Sequence, residues 1–253
     1  MEKMVLIALG LTAFAGLSTT VGSLLGLIVK DPGPRFMSLT LGFSAGAMVL
    51  ISFSELLHKA VLSIGFTSAH IAFFLGFAGM FLIDWLIPHE YIGQIDRKKS
   101  GSEDKLLKTG IFVALGIGIH NFPEGMATFA GALDDLGLGV AIAIAIAIHN
   151  IPEGLAISVP IYAATKSRKK AFWWSFLSGA TEPVGAAIAA LFLMPVLTVT
   201  VLGWVLAAVA GIMIYISFDE VIPLSKSYGE EHLPIVGLII GMVVMALTLW
   251  LFL

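Results

Sequence analysis

Eight stretches of this chain stay apolar for about 20 residues or more, the length at which an α-helix crosses the hydrocarbon core of a bilayer. They run from Met4 to Val29, Phe36 to Leu57, Thr67 to Ile87, Thr109 to Ala132, Leu136 to Ala164, Phe172 to Leu193, Val196 to Pro223 and Leu233 to Leu253, cut apart by polar or Pro/Gly breaks. A backbone in lipid must satisfy its own hydrogen bonds, which leaves helices and closed barrels. Barrel strands would show as segments of about 10 residues alternating apolar and polar, and these runs do not. The expected fold is therefore an all-α polytopic membrane protein of eight transmembrane helices, with residues 1–253 as a single transmembrane domain. The first run is too long for the apolar core of a signal peptide and reads as a retained span.

Composition agrees, with 58% hydrophobic and 12% charged residues against the roughly 25% charged of a soluble domain. A net charge of -3, with no Lys/Arg run interleaved with aromatics, offers no groove for nucleic acid. Cysteine is absent, so disulfides, thiolate metal sites and cysteine nucleophiles are excluded.

Lys and Arg concentrate in the cytoplasmic loops of membrane proteins. Of the 14 here, all but Lys3 and Lys59 fall in the first, third, fifth and seventh loops. That pattern places both termini outside and makes 91–108, the longest polar loop, cytoplasmic.

The densest chemistry lies within the fourth and fifth runs. His120-Asn121-Phe122-Pro123-Glu124-Gly125 is nearly repeated as His149-Asn150-Ile151-Pro152-Glu153-Gly154. Residues at i, i+1 and i+4 lie close to one helical face, so His120, Asn121 and Glu124 point together, as do His149, Asn150 and Glu153. Each proline removes a backbone donor and crowds the carbonyl four residues earlier, so the fourth and fifth helices are expected to kink beside their polar clusters. A carboxylate near the bilayer midplane costs roughly 2.5–3.5 kcal/mol even on the lenient insertion scale. A divalent cation would compensate it, and imidazole, carboxylate and amide oxygen suit zinc and also divalent iron, manganese or cobalt. Glu182, beside Pro183 in the sixth run, is the natural further ligand. The alternative is a buried hydrogen-bond network around two helix bends, which two matching sets of His, Asn and Glu exceed.

Other polar groups are candidates for lining a route: Glu55 and His58 late in the second run, Asp84, His89 and Glu90 near the end of the third, and Asp219 and Glu220 in the seventh. Side chains near span ends reach headgroups or water cheaply and need no function. Glycines at 22 and 26, 42 and 46, and 116 and 118 read as close helix packing. Trp85, Trp173, Trp174 and Trp250 read as interfacial anchors.

On HNFPEG at 120–125, HNIPEG at 149–154, SGATEPVGA at 178–186 and GIMIYISFDEVIP at 211–223, the chain resembles the ZIP (Zrt-, Irt-like) family of divalent metal transporters, of the bacterial and archaeal ZupT type. The resemblance covers essentially the whole chain. It implies two adjacent metal sites on the fourth and fifth helices with bridging carboxylates. One would use Glu124, His149 and Glu153 with His120 close by; the other would use Asn121, Glu124, Asn150 and Glu153, completed by Glu182. It further implies uptake of zinc, with broader metal acceptance, across the cell membrane into the cytoplasm, with no resident cofactor and a homodimer as partner state. Some ZIP proteins carry His-rich cytoplasmic loops, whereas 91–108 contains no His. Two rival classes are an intramembrane metalloprotease, for which Asn replaces the Glu expected beside the first His, and a metal sensor that binds without translocating. Repeats between the first and last three spans are expected of such transporters, although no clear identity relates them.

Overall fold

Every run that is apolar for a bilayer's width becomes a helix. The computed structural model describes residues 2–29, 33–86, 103–193 and 198–252. Its helices are α1 (Glu2–Val29), α2 (Pro34–Ile64), α3 (Phe66–Leu86), α4 (Glu103–Asp134), α5 (Leu136–Thr165), α6 (Arg168–Ile188), α7 (Val199–Ser227) and α8 (Leu233–Phe252). No strand occurs among the described residues. Among the described residues, seven helices are long and apolar enough to cross a membrane. The eighth, α4, is the longest at 32 residues and carries His120, Asn121 and Glu124 within it.

Local chemistry sets the helix ends. Gly65, at φ 78°, is the one residue between α2 and α3, a left-handed conformation that glycine adopts without a Cβ penalty. Asp135 caps α5 by accepting from Leu138 N at 2.8 Å, Ser167 caps α6 through Lys170 N at 3.3 Å, and Thr198 caps α7 through Val201 N at 3.2 Å.

Several elements depart from the sequence expectation. α2 continues past Leu57 to Ile64, passing through one wide π turn at Ser52–Leu57 that holds Glu55. α7 runs through a similar turn at Ser217–Val221 holding Asp219 and Glu220, and α6 is followed by another at Ala189–Leu193. α4 begins at Glu103, so the end of the segment read as a loop is helical. The rest of that segment, with His89 and Glu90, lies outside the described residues. Pro123 and Pro152 lie inside α4 and α5, where the sequence places them.

α5 is the innermost span, with 78% of its apolar window buried against 22% for α3 and 28% for α8. α1 packs on α5, α6 on α4, α2 on α8 and α7 on α3. Exchanging the first three helices with the last three, and α4 with α5, maps each pairing onto another. Helices in lipid gain little from hiding apolar surface and associate through close backbone packing. The α2–α8 contact is built this way: a Cβ on Gly42, Gly46, Gly237 or Gly241 would lie 2.2, 2.0, 2.2 or 2.0 Å from a carbonyl of the opposite helix.

Candidate metal centre

The two motif copies meet because α4 and α5 are joined by the single residue Asp135 and pack along their length. α6 is drawn against α4 at the same level by a second pair of glycines. A Cβ on Gly125 would lie 2.0 Å from the Glu182 carbonyl, and one on Gly185 would lie 2.1 Å from the Phe122 carbonyl. That contact brings Glu182 beside the motif residues.

The side chains are sealed from solvent. Asn121, Glu124, His149, Asn150 and Glu182 have no exposed surface, and Glu153 is 1% exposed. His149 Nε2 stands 3.4 Å from both carboxylate oxygens of Glu124, joining the two helices. Asn150 Nδ2 donates to Glu182 Oε1 and to the Ala15 carbonyl of α1 at 3.0 Å. Asn121 Nδ2 donates to the Ser178 carbonyl of α6 at 3.3 Å. Glu182 lies close enough to Glu124 and Glu153 to interact with both charges.

Both amide nitrogens are thus engaged by neighbouring backbones, and their oxygens are left over. Asn121 Oδ1, Asn150 Oδ1 and Glu182 Oε2 make no hydrogen bond, although a buried acceptor without a partner costs about 1–3 kcal/mol. Three carboxylates share this space, and no Lys or Arg is among the buried residues described. The cluster is rich in acceptors and poor in positive charge, the chemistry that accepts a cation.

Of the site residues expected from sequence, Asn121, Glu124, His149, Asn150, Glu153 and Glu182 come together. His120 has its backbone in α4, while its side chain lies outside the described residues. Among the described residues no three His, Asp or Glu side chains are arranged to hold a metal ion by themselves; the expected ligand set also counts two amide oxygens and His120.

The other candidates form separate groupings. Glu55 is 4% exposed and has Lys59 Nζ at 3.9 Å, while His58 is exposed. Asp84 and Asp219 are joined by Tyr215 Oη, at 2.8 and 3.2 Å. Glu220 faces α4, where a Cβ on Gly116 would lie 2.7 Å from Glu220 Oε2. Sequence reasoning missed Tyr215; its signal was a phenol one helical turn before Asp219. It also missed Ser44, whose hydroxyl donates to the His149 carbonyl at 3.2 Å, and the carbonyls of Ala15 and Ser178, for which residue type gives no signal.

Known proteins match this sequence along nearly its whole length. The chain is similar to proteins named zinc transporter ZupT from Chlorobium phaeovibrioides, 55% identical over 96% of both chains, from Chlorobaculum parvum, 50% identical over the full length of both, and from Lysinibacillus sphaericus, 51% identical over 98% of both. A family model described as ZIP zinc transporter matches residues 89–249, which span both motif copies, Glu182 and the Asp219–Glu220 pair. With full-length relatives at half identity and that match over most of the chain, this protein belongs to the ZIP family of transporters, in its ZupT type.

Proposed function

We propose that the chain carries zinc across the cell membrane into the cytoplasm, and accepts other divalent ions such as iron, manganese or cobalt. The observation that carries this reading is the sealed, acceptor-rich cluster between α4, α5 and α6, where three carboxylates and two amide oxygens gather with no buried Lys or Arg among the described residues. Its relatives' name, zinc transporter, supports zinc as the first substrate.

In this reading the hydrated ion enters from outside and exchanges water for Glu124, His149 and Glu153 with His120, and for Asn121, Asn150 and Glu182. Glu124 and Glu153 are shared, so the ion is bound loosely enough to leave; a closed tetrahedral cage would retain it. Pro123 and Pro152 bend α4 and α5 around the site. Glu55 and His58 on one side, and Asp84, Asp219 and Glu220 on the other, line the approach and departure. The charge asymmetry of the loops puts both termini outside, and a homodimer is the assembly that family resemblance suggests. The ion is cargo throughout, and the protein is a transporter rather than an enzyme, as its family is.

The test is zinc entry into liposomes holding a zinc-sensitive dye, comparing wild type with Glu124→Ala and Glu153→Ala after each is shown to fold. Saturable entry abolished by both substitutions is expected, and competition by iron or manganese would rank the cargo. Folded wild type that moves no divalent ion would overturn the reading.

A further inference from the structure

A second feature, distant from the motif helices, points to a different ligand. Where the end of α1 meets the start of α6, a crevice of about 340 Å³ is lined by Leu24, Leu27, Ile28, Arg168, Lys169 and Phe172. Its lining is mostly apolar, and it carries two cations, Arg168 and Lys169. Leu24 and Ile28 are 47% and 74% exposed, on a span apolar enough to sit in a bilayer, so acyl chains cover them.

The cations lie at the level of the headgroups. α6 begins at Arg168, and Trp173, 47% exposed, sits little more than one turn further in, where indole rings favour the interface. Arg168 and Lys169 are exposed and make no ion pair with any described residue. The first N–H groups of a helix have no intrahelical partner, and α6 starts at Arg168, one of the residues that line the crevice. Ser167 Oγ already serves Lys170 N, which leaves the N–H groups of Arg168 and Lys169 for an outside acceptor. Basic crevices between membrane helices favour anionic headgroups.

We propose that this crevice binds one anionic phospholipid, its phosphate held by Arg168, Lys169 and the start of α6, and one acyl chain laid along Leu24, Leu27, Ile28 and Phe172. The site is independent of the transport reading, because none of its residues belongs to the metal cluster.

The test uses the full chain in mixed micelles, with retention of phosphatidylglycerol compared with phosphatidylcholine of the same chains by native mass spectrometry. Wild type should retain phosphatidylglycerol preferentially. Each cation near an anionic headgroup is worth about fivefold, so Arg168→Gln with Lys169→Gln should lower the preference about 25-fold. Lys226→Gln, an exposed cation at the end of α7, should leave it unchanged. Leu24→Trp keeps both cations, fills the crevice at an exposed position, and should release the lipid too. Unchanged preference in the double variant, or unchanged retention in Leu24→Trp, would overturn the proposal. So would free glycerophosphate displacing the lipid at equal concentration, since that would mean anion binding without the acyl crevice.

Discussion

Gly154 closes the second motif copy, and the structure gives it a role that its residue type alone does not. A Cβ at this position would lie 1.9 Å from the Thr19 carbonyl and 2.8 Å from Ser23 N, both backbone atoms of α1. Ordinary contact begins near 3.4 Å, so Gly154→Ala requires α1 and α5 to separate by about 1.5 Å, and neither backbone atom can rotate away as a side chain would. Overpacking of this kind costs about 1–3 kcal/mol, occasionally more, while alanine's better helix propensity returns about 1 kcal/mol. Taking the upper end because the clash is with backbone, the net loss is about 2 kcal/mol. Gly10 supplies the control. It lies in α1 with nothing within 4 Å of its Cβ position, so Gly10→Ala should gain up to about 1 kcal/mol from propensity alone. The two variants should therefore move apart by about 3 kcal/mol, in opposite directions, in thermal unfolding of the purified protein in detergent. Glu153 precedes Gly154, so zinc affinity should fall in Gly154→Ala and stay constant in Gly10→Ala. Equal and favourable shifts in both variants would refute the claim that α1 and α5 are in backbone contact at the motif.

Three further expectations rest on other parts of the structure. Glu182→Gln keeps an acceptor for Asn150 Nδ2 and removes a charge, so zinc affinity should fall about 10–100-fold while the melting temperature holds; isothermal titration showing wild-type affinity would exclude Glu182 as a ligand. Tyr215→Phe keeps the edge-on ring contact with Phe77, 5.3 Å between centroids, but deletes the hydroxyl between Asp84 and Asp219; a loss of about 1–3 kcal/mol is expected, and an unchanged unfolding temperature would show the bond to be idle. Lys166 adopts φ 53° after α5, a conformation that costs a non-glycine residue roughly 1–2 kcal/mol. Lys166→Gly should therefore raise the melting temperature, and a lower one would argue against that backbone geometry.

The helices were legible because length and apolarity are one-dimensional properties, and a run wide enough for a bilayer has few other ways to satisfy its backbone. The cluster was legible for a related reason. His149 and Glu153 are four residues apart on an uninterrupted helix, so helical period alone sets their common face, and a matching copy on the adjoining helix told which faces would meet. Glu182 was found by chemistry, as a carboxylate in an apolar run. The backbone partners of the amides were not legible, since the carbonyls of Ala15 and Ser178 depend on how α1 and α6 are seated against the motif helices, and any residue could supply them. The π turns were hidden for a different reason. Such a turn admits one extra residue, which rotates everything beyond it relative to the helix before, so counting faces from Met48 toward Glu55 or from Tyr215 toward Glu220 by helical period fails. These turns also carry what the sequence comparison between the two ends of the chain lacked. α2 and α7 exchange places in the packing scheme, and each widens where its acidic residues fall, at Ser52–Leu57 with Glu55 and at Ser217–Val221 with Asp219 and Glu220. What the two ends of the chain share is a backbone device and a charge type, which many sequences can encode, and that is why no residue-by-residue identity betrays it.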